Sequence, residues 1–179
     1  MKKILISIAV IGFVAMSATA AHAASDGEIH FTGKLVDTSC NVSVGGGGPI
    51  GTIILPNISV AELDTATKTA GDTGFTIALS ACSGSKSPVR VFFELDKSPA
   101  VDPTTGRLNN TADSNPAANV QLELLDGDYN PIVIGGAAGN YTDISSGSAS
   151  IPFSVRYYAK GVTTPGDVTS MVTFSLDYQ

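Results

Sequence analysis

Residues 25–40 read SDGEIHFTGKLVDTSC, an alternation of polar and apolar side chains that ends at a cysteine. One face of this stretch consists of every second residue, namely Ser25, Gly27, Ile29, Phe31, Gly33 and Leu35. A period of two predicts a β-strand with one buried face. Glycine weakens a strand unless another segment approaches its backbone closely. The two glycines on the apolar face therefore predict an unusually close packing partner.

The same period recurs along the chain. The segments that show it are GFTIALSAC (74–82), PVRVFFEL (88–95), NVQLELLD (119–126), SIPFSVRYYAKG (150–161) and MVTFSLDYQ (171–179). The apolar run 50–55 predicts a further short strand, whereas 96–119 is rich in Pro, Asn and Asp and predicts a loop. Ser59 and Glu62 have the spacing of a capping box for one brief helix. Seven or eight short strands predict an all-β sandwich, with a small barrel as the alternative.

The first residues combine a basic start, an apolar run and the small-residue site Ala21-His22-Ala23. This pattern predicts a secretory signal peptide over residues 1–23, removed on export. A membrane anchor is the alternative, disfavoured because the apolar run is short. The mature chain would begin at Ala24, and its length suits one domain. Without Lys2 and Lys3, eight basic residues stand against 16 acidic ones, which argues against nucleic acid and anionic membranes as partners.

The sequence has two cysteines, Cys40 and Cys82. In an exported chain a disulfide between them is the default expectation. The chain-entropy model gives a loop of this size about 4 kcal/mol of stabilisation. Two free thiols or a metal site are the alternatives. A metal site is disfavoured because His30 is the only histidine of the mature chain and no second thiol pair exists.

Few residues could support catalysis, because a single mature histidine leaves few nucleophile–base pairs. The segment DGDYNP places Asp126, Asp128 and Asn130 at the spacing of a calcium loop, but Pro131 stands where glycine is required. We therefore predict no catalytic residues, no bound metal and no cofactor. An enzyme that acts through scattered carboxylates is the remaining alternative in that class.

Five stretches occur in this order along the chain: GEIHFTGKLVDTSC, GFTIALSAC, NVQLELLD, IPFSVRYYAKG and the ending VTFSLDYQ. Together they resemble the major subunits of chaperone–usher fimbriae, most closely the type 1 fimbrial major pilin. The most specific features are the strand that leads to a cysteine, the spacing of the two cysteines and the penultimate Tyr178. Residues 101–118 are not distinctive. The resemblance implies an incomplete immunoglobulin-like β-sandwich over residues 36–179, completed by a donor strand, residues 24–35, of a neighbouring subunit.

The resemblance also implies roles for individual residues. The donor strand would place Ser25, Gly27, Ile29, Phe31 and Gly33 in the groove of the neighbour, with Gly27 where the groove is shallow. The strand that borders the groove and pairs with the chaperone would carry Val172, Phe174, Leu176 and Tyr178.

These features predict a structural, non-enzymatic subunit of a fimbrial shaft that supports cell adhesion. The implied partners are identical or related pilins in a head-to-tail polymer, a periplasmic chaperone and an outer-membrane usher. The protein would pass through the periplasm to a fimbrium at the cell surface. A minor or adaptor subunit, or a one-domain adhesin, is the alternative. A two-domain tip adhesin is disfavoured because the mature chain is too short for a second domain.

Overall fold

The described part of the computed structural model, residues 28–136 and 139–179, is built almost entirely of β-strands. The strands are β1 (Ser39–Val44), β2 (Thr69–Ser83), β3 (Val89–Glu94), β4 (Val101–Asp102), β5 (Arg107–Asn109), β6 (Val120–Leu125), β7 (Ala149–Ala159) and β8 (Thr173–Tyr178). Within these residues the one helical element is a 3-10 turn, Val60–Leu63. Its capping box is present as predicted. The Glu62 carboxylate accepts a hydrogen bond from the Ser59 backbone N–H, and the Ser59 hydroxyl accepts one from a backbone N–H of the first turn.

Two sheets form a sandwich. The larger has the order β1-β2-β7-β6-β5-β4 and the smaller pairs β3 with β8, and every pairing is antiparallel. The core lies between them and includes Ile77 and Leu124 from the larger sheet and Val91 and Phe93 from the smaller. The predicted all-β sandwich is confirmed.

The inward alternation predicted for β3 is confirmed, because Val89, Val91 and Phe93 are buried. In β2 the alternation changes at Ala81, which has a φ of +49° and is exposed. The pairing of β1 with β2 shifts at the same place, so one extra residue of β2 forms a bulge. The bulge turns Cys82 inward, where a strict alternation would have left it outside.

The chain divides into two units, Met1–Lys34 and Leu35–Gln179. In the first unit the described residues, 28–34, form no strand, and Ile29 and Phe31 are 80% and 90% exposed. A strand requires a hydrogen-bonding partner for its backbone, and the resemblance implies that the partner of this segment belongs to a neighbouring subunit, so the strand stays a prediction. Ser25, Gly27 and the predicted signal peptide lie outside the described residues.

Two predictions fail. Residues 50–55 form no strand, and Ile50 and Ile54 are exposed, although Ile53 and Leu55 pack on the core. The predicted loop 96–119 contains the hairpin of β4 and β5, whose turn is held by Thr104 donating its backbone N–H to the Asp102 carboxylate. Propensity misses such short strands because cross-strand partners, which a single segment cannot show, determine whether they form.

Candidate functional site

The edge strand β8 marks the candidate site. Within the described residues β8 is hydrogen-bonded to β3 on one side, and no strand pairs with its other edge. The unpaired edge of a strand is a template for adding another strand, so proteins normally cover or blunt it. An uncovered edge beside an apolar face therefore points to an interaction site.

The inward face of β8 is only half-covered. Phe174, Leu176 and Tyr178 lie directly opposite the buried β3 residues Phe93, Val91 and Val89, so they share the core face of the sheet. The three β3 residues are at most 6% exposed, whereas their β8 partners are of intermediate burial. The inward side chains of β8 are thus less covered than those of β3 directly opposite them.

All four residues predicted for the groove-bordering strand pack against the core, including Val172, which lies just before β8. The Phe174 ring meets the Phe93 ring edge-on, with centroids 6.5 Å apart. Burial raises the pKa of the Tyr178 phenol, because a partly desolvated hydroxyl ionises less readily. The sequence pattern therefore assigned the correct face to each of these residues.

Strand β1 is an edge of the larger sheet and is also half-covered. Its Val42 and Val44 pack on the core but stay partly exposed. The start of β1 and the end of β8 meet at residues 87–88, because Ser87 donates its N–H to the Thr38 hydroxyl (3.1 Å) and Gln179 donates to the Pro88 carbonyl (2.9 Å). The two uncovered edges thus share one corner of the sandwich.

The disulfide between Cys40 and Cys82 is confirmed, with an Sγ–Sγ distance of 2.06 Å. It joins the start of β1 to the β2 bulge. Nearby, Asp37 accepts a hydrogen bond from the Ser85 backbone N–H, which lowers the pKa of the Asp37 carboxyl. These contacts fasten the chain at the point where it enters the sandwich.

The predicted donor residues that the structure describes are Ile29, Phe31 and Gly33. Ile29 and Phe31 carry large apolar side chains in solvent, and no heavy atom lies within 4 Å of a Cβ built at Gly33. A soluble domain exposes such a segment at a cost, since apolar side chains favour burial.

Two charge clusters on the outer faces were missed by the sequence analysis. Glu123 of β6, 2% exposed, accepts hydrogen bonds from Arg107 (2.7 Å) and Arg156 (2.7 Å) on the flanking strands. Asp177 of β8 lies opposite Arg90 of β3 and forms an ion pair with it at 2.6 Å. The sequence does show opposite charges within predicted strands, which could have suggested cross-strand ion pairs. Only the order and register of the strands, however, show which of these charges are neighbours.

Among residues 28–136 and 139–179, no group of His, Cys, Asp and Glu side chains could hold a metal ion. No helix in the same residues is long and apolar enough to cross a membrane.

The model of a protein family described as "Fimbrial protein" matches residues 29–179 of this sequence. The chain belongs to the fimbrial protein family. Its members are structural pilins, which agrees with the prediction that the protein is not an enzyme. As a fimbrial subunit, the chain is part of a surface appendage.

Named relatives match over nearly the whole chain. The F17 fimbrial protein of Escherichia coli is 37% identical and covers 95% of this chain and 97% of its own. The major fimbrial subunit SMF-1 of Stenotrophomonas maltophilia (strain K279a) is 39% identical, over 87% and 94%. The type 1 fimbrial protein A chain of Escherichia coli is 30% identical, over 97% and 97%. The predicted resemblance to the major pilins of chaperone–usher fimbriae is confirmed.

A solved chaperone–usher pilus, studied for the molecular basis of rod uncoiling, superposes with a TM-score of 0.61 at 18% identity. The match covers 90% of this chain and all of that one. At this identity the likeness establishes the fold, which is the incomplete immunoglobulin-like sandwich of chaperone–usher pilus subunits.

Proposed function

We propose that this fimbrial protein is the shaft subunit of a chaperone–usher fimbria and that it polymerises by donor-strand exchange. The observation that carries the proposal is the half-covered inward face of β8 beside an edge with no strand partner in the described part of the chain. An added strand would supply the missing backbone hydrogen bonds and the missing layer of the core.

The donor would be residues 24–35 of another copy. Ile29 and Phe31 alternate on one face and are exposed, so they can enter the groove bordered by β8 together with Ser25, Gly27 and Gly33. Burying each large side chain is worth about 1.5–3 kcal/mol before ordering costs. Because donor and groove lie in different parts of one subunit, the contact is head-to-tail and produces an open filament.

The same proposal assigns the domains and the assembly partners. Residues 1–23 direct export, residues 24–35 are the donor extension, and 36–179 form the pilin domain. A periplasmic chaperone would cover β8 and the open groove before assembly, and an outer-membrane usher would exchange it for the next subunit's extension. An uncovered apolar groove would otherwise invite aggregation.

A shaft role is supported by the names of the relatives, since one at 39% identity is a major fimbrial subunit. A minor or adaptor subunit, or a one-domain adhesin, is the second candidate, because such subunits use the same fold and the same groove.

The test is a self-complemented chain. Residues 36–179 are followed by a short flexible linker and a copy of DGEIHFTGKL, residues 26–35. Because the linker makes strand insertion intramolecular, we expect a soluble monomer that melts well above the chain without the appended copy. Equal melting temperatures of the two chains would show that the sandwich is already complete and would refute the proposal.

Two variants of the appended copy provide the controls. Phe31→Ala leaves a cavity and Gly27→Leu overfills a shallow position, so each should lower the melting temperature. A third variant, Thr32→Ser on the opposite face of the donor, should leave it nearly unchanged. If all three behave alike, the donor does not enter the groove with this face.

A further inference from the structure

We propose that Tyr141, Arg90 and Asp177 form a positioning clamp that fixes the register of β8 before a donor strand arrives. The three side chains lie on the outer face of the smaller sheet, opposite the groove. This inference deepens the proposed function, because it concerns how the same groove is kept ready to receive a strand.

The polar contacts of the clamp meet at one carboxylate oxygen, Asp177 Oδ2. Arg90 donates to Asp177 Oδ2 through Nε (2.7 Å), and Arg90 Nη2 lies 2.6 Å from the same oxygen. The Tyr141 hydroxyl also donates to Asp177 Oδ2, at 3.2 Å. The Arg90 guanidinium stacks over the Tyr141 ring, 4.5 Å from its centroid. Each group therefore contacts the other two.

The clamp spans three adjacent chain segments. Asp177 lies on β8 and Arg90 directly opposite it on β3. Tyr141 comes from the segment on the far side of β3, where Thr142 and Val89 exchange both backbone hydrogen bonds (2.7 and 2.9 Å). The side chains thus connect β8 to a segment that its own backbone does not contact through the described pairings.

Strand β8 needs this support more than other strands do. It belongs to a sheet of two strands and has a hydrogen-bonded strand on one side only, so fewer backbone contacts hold its register. Its side chains alternate, so Leu176 and Tyr178 face the core while Asp177 between them faces outward. A slip of one residue would turn the groove-lining side chains into solvent and the carboxylate into the core. Pairing of Asp177 with Arg90 at a single register opposes that slip.

The other end of β8 is held separately. Thr173 donates its backbone N–H to the hydroxyl of the buried Ser98 (2.9 Å), and its own hydroxyl donates to the Lys97 carbonyl (3.1 Å). The clamp therefore acts on the end of β8 that carries Leu176 and Tyr178, and its loss should affect that end first.

The test uses the full chain, refolded and kept dilute, with hydrogen exchange measured at residues 174–178. Asp177→Asn and Arg90→Gln should each raise the exchange rate of these amides roughly two- to five-fold, the range expected for an exposed ion pair with a stacked arginine. The charge-swapped chain with Arg90→Asp and Asp177→Arg together should recover part of the protection, which a purely steric role would not allow. Tyr141→Phe should give a smaller increase.

The matched control is the exposed pair of Asp64 and Lys68, whose atoms lie 2.7 Å apart and outside the smaller sheet. Asp64→Asn should leave exchange at residues 174–178 unchanged. If Asp177→Asn behaves like this control, or if the charge swap protects no better than either single variant, the clamp is refuted.

A second measurement separates this inference from the proposed function. A synthetic peptide of residues 24–35 is added to each chain, and association and dissociation rates are recorded. Because a roughly two- to five-fold rise in opening still leaves most chains in register, Asp177→Asn and Asp64→Asn should bind the peptide at nearly equal association rates, and loss of the groove in most Asp177→Asn chains would contradict a clamp of this strength. A peptide that fails to bind even the unmodified chain would contradict donor-strand exchange, while the exchange data would still decide the clamp.

Discussion

At the scale of single residues, Phe174 shows most clearly that the core is unfinished. It lies opposite Phe93 in the β3–β8 ladder, and the two rings are in contact. Phe93 is 5% exposed, whereas Phe174 is only half-buried. The same residue type at paired positions therefore experiences different degrees of burial, which is what the proposed insertion of a donor strand beside β8 would remove.

We predict that Phe174→Ala depends on groove occupancy. In the free chain the substitution should cost about 1–2 kcal/mol of unfolding free energy, because the ring is only partly buried there. In the self-complemented chain it should cost about 3–5 kcal/mol, the range for a buried phenylalanine. Denaturant unfolding of both chains measures the two values. Phe93→Ala is the matched control and should cost the same in each; an equal cost of Phe174→Ala in both chains would contradict the proposed groove.

At the scale of elements, β6 departs most from its sequence pattern. The alternation of Val120, Leu122 and Leu124 predicts a polar outer face in water, yet all six residues of the strand are buried. Strand β6 lies between β5 and β7, so Arg107 and Arg156 cover Glu123 from both sides, and Arg107 stacks on the Tyr158 ring at 3.8 Å. A buried carboxylate is tolerated when such paired donors surround it.

We predict that Glu123→Gln lowers the unfolding free energy by about 2 kcal/mol, as measured by denaturant unfolding. Glutamine keeps the size of the side chain but removes the negative charge that neutralises Arg107 and Arg156. The expected loss of unfolding free energy stays below that of a fully buried pair, because both arginines are partly exposed. Asp64→Asn, which removes an exposed carboxylate from its pair with Lys68, should cost less than 1 kcal/mol. Equal losses of unfolding free energy in the two variants would show that the buried pairs of Glu123 are no more stabilising than an exposed pair.

At the scale of the whole molecule, the proposed head-to-tail contact allows many copies per filament. Each copy would supply one extension and one groove, so the contact itself would not limit the number of subunits. A minor or adaptor subunit would use the same contacts but would be present in few copies. Abundance in the filament therefore separates the two candidate functions.

We predict that this chain is the bulk component of filaments sheared from the cells that produce it, and that its first residue there is Ala24. Quantitative mass spectrometry of the sheared material measures both. Deletion of the gene should remove the filaments, whereas loss of a minor subunit would leave them. A filament dominated by another pilin would assign this chain to the minor or adaptor class.

The sequence by itself predicted the sandwich, the inward faces of β3 and β8, the capping box and the disulfide. These follow from local rules, since a period of two assigns faces and an even number of cysteines in an exported chain predicts pairing. The hairpin of β4 and β5 was missed and residues 50–55 were wrongly predicted as a strand, because a strand also requires a backbone partner. The strand predicted for the N-terminal segment needs a partner from another subunit and stays a prediction.

The tertiary structure alone decided which edges are uncovered and which charges are neighbours. Alternation in β8 is the same whether its free edge is covered or open, so only the strand order reveals the unpaired side. Arg90 and Asp177 are 87 positions apart in sequence and become opposite residues only through the register of β3 with β8. Periodicity describes how a segment relates to one surface, whereas pairing between distant segments depends on packing of the whole chain.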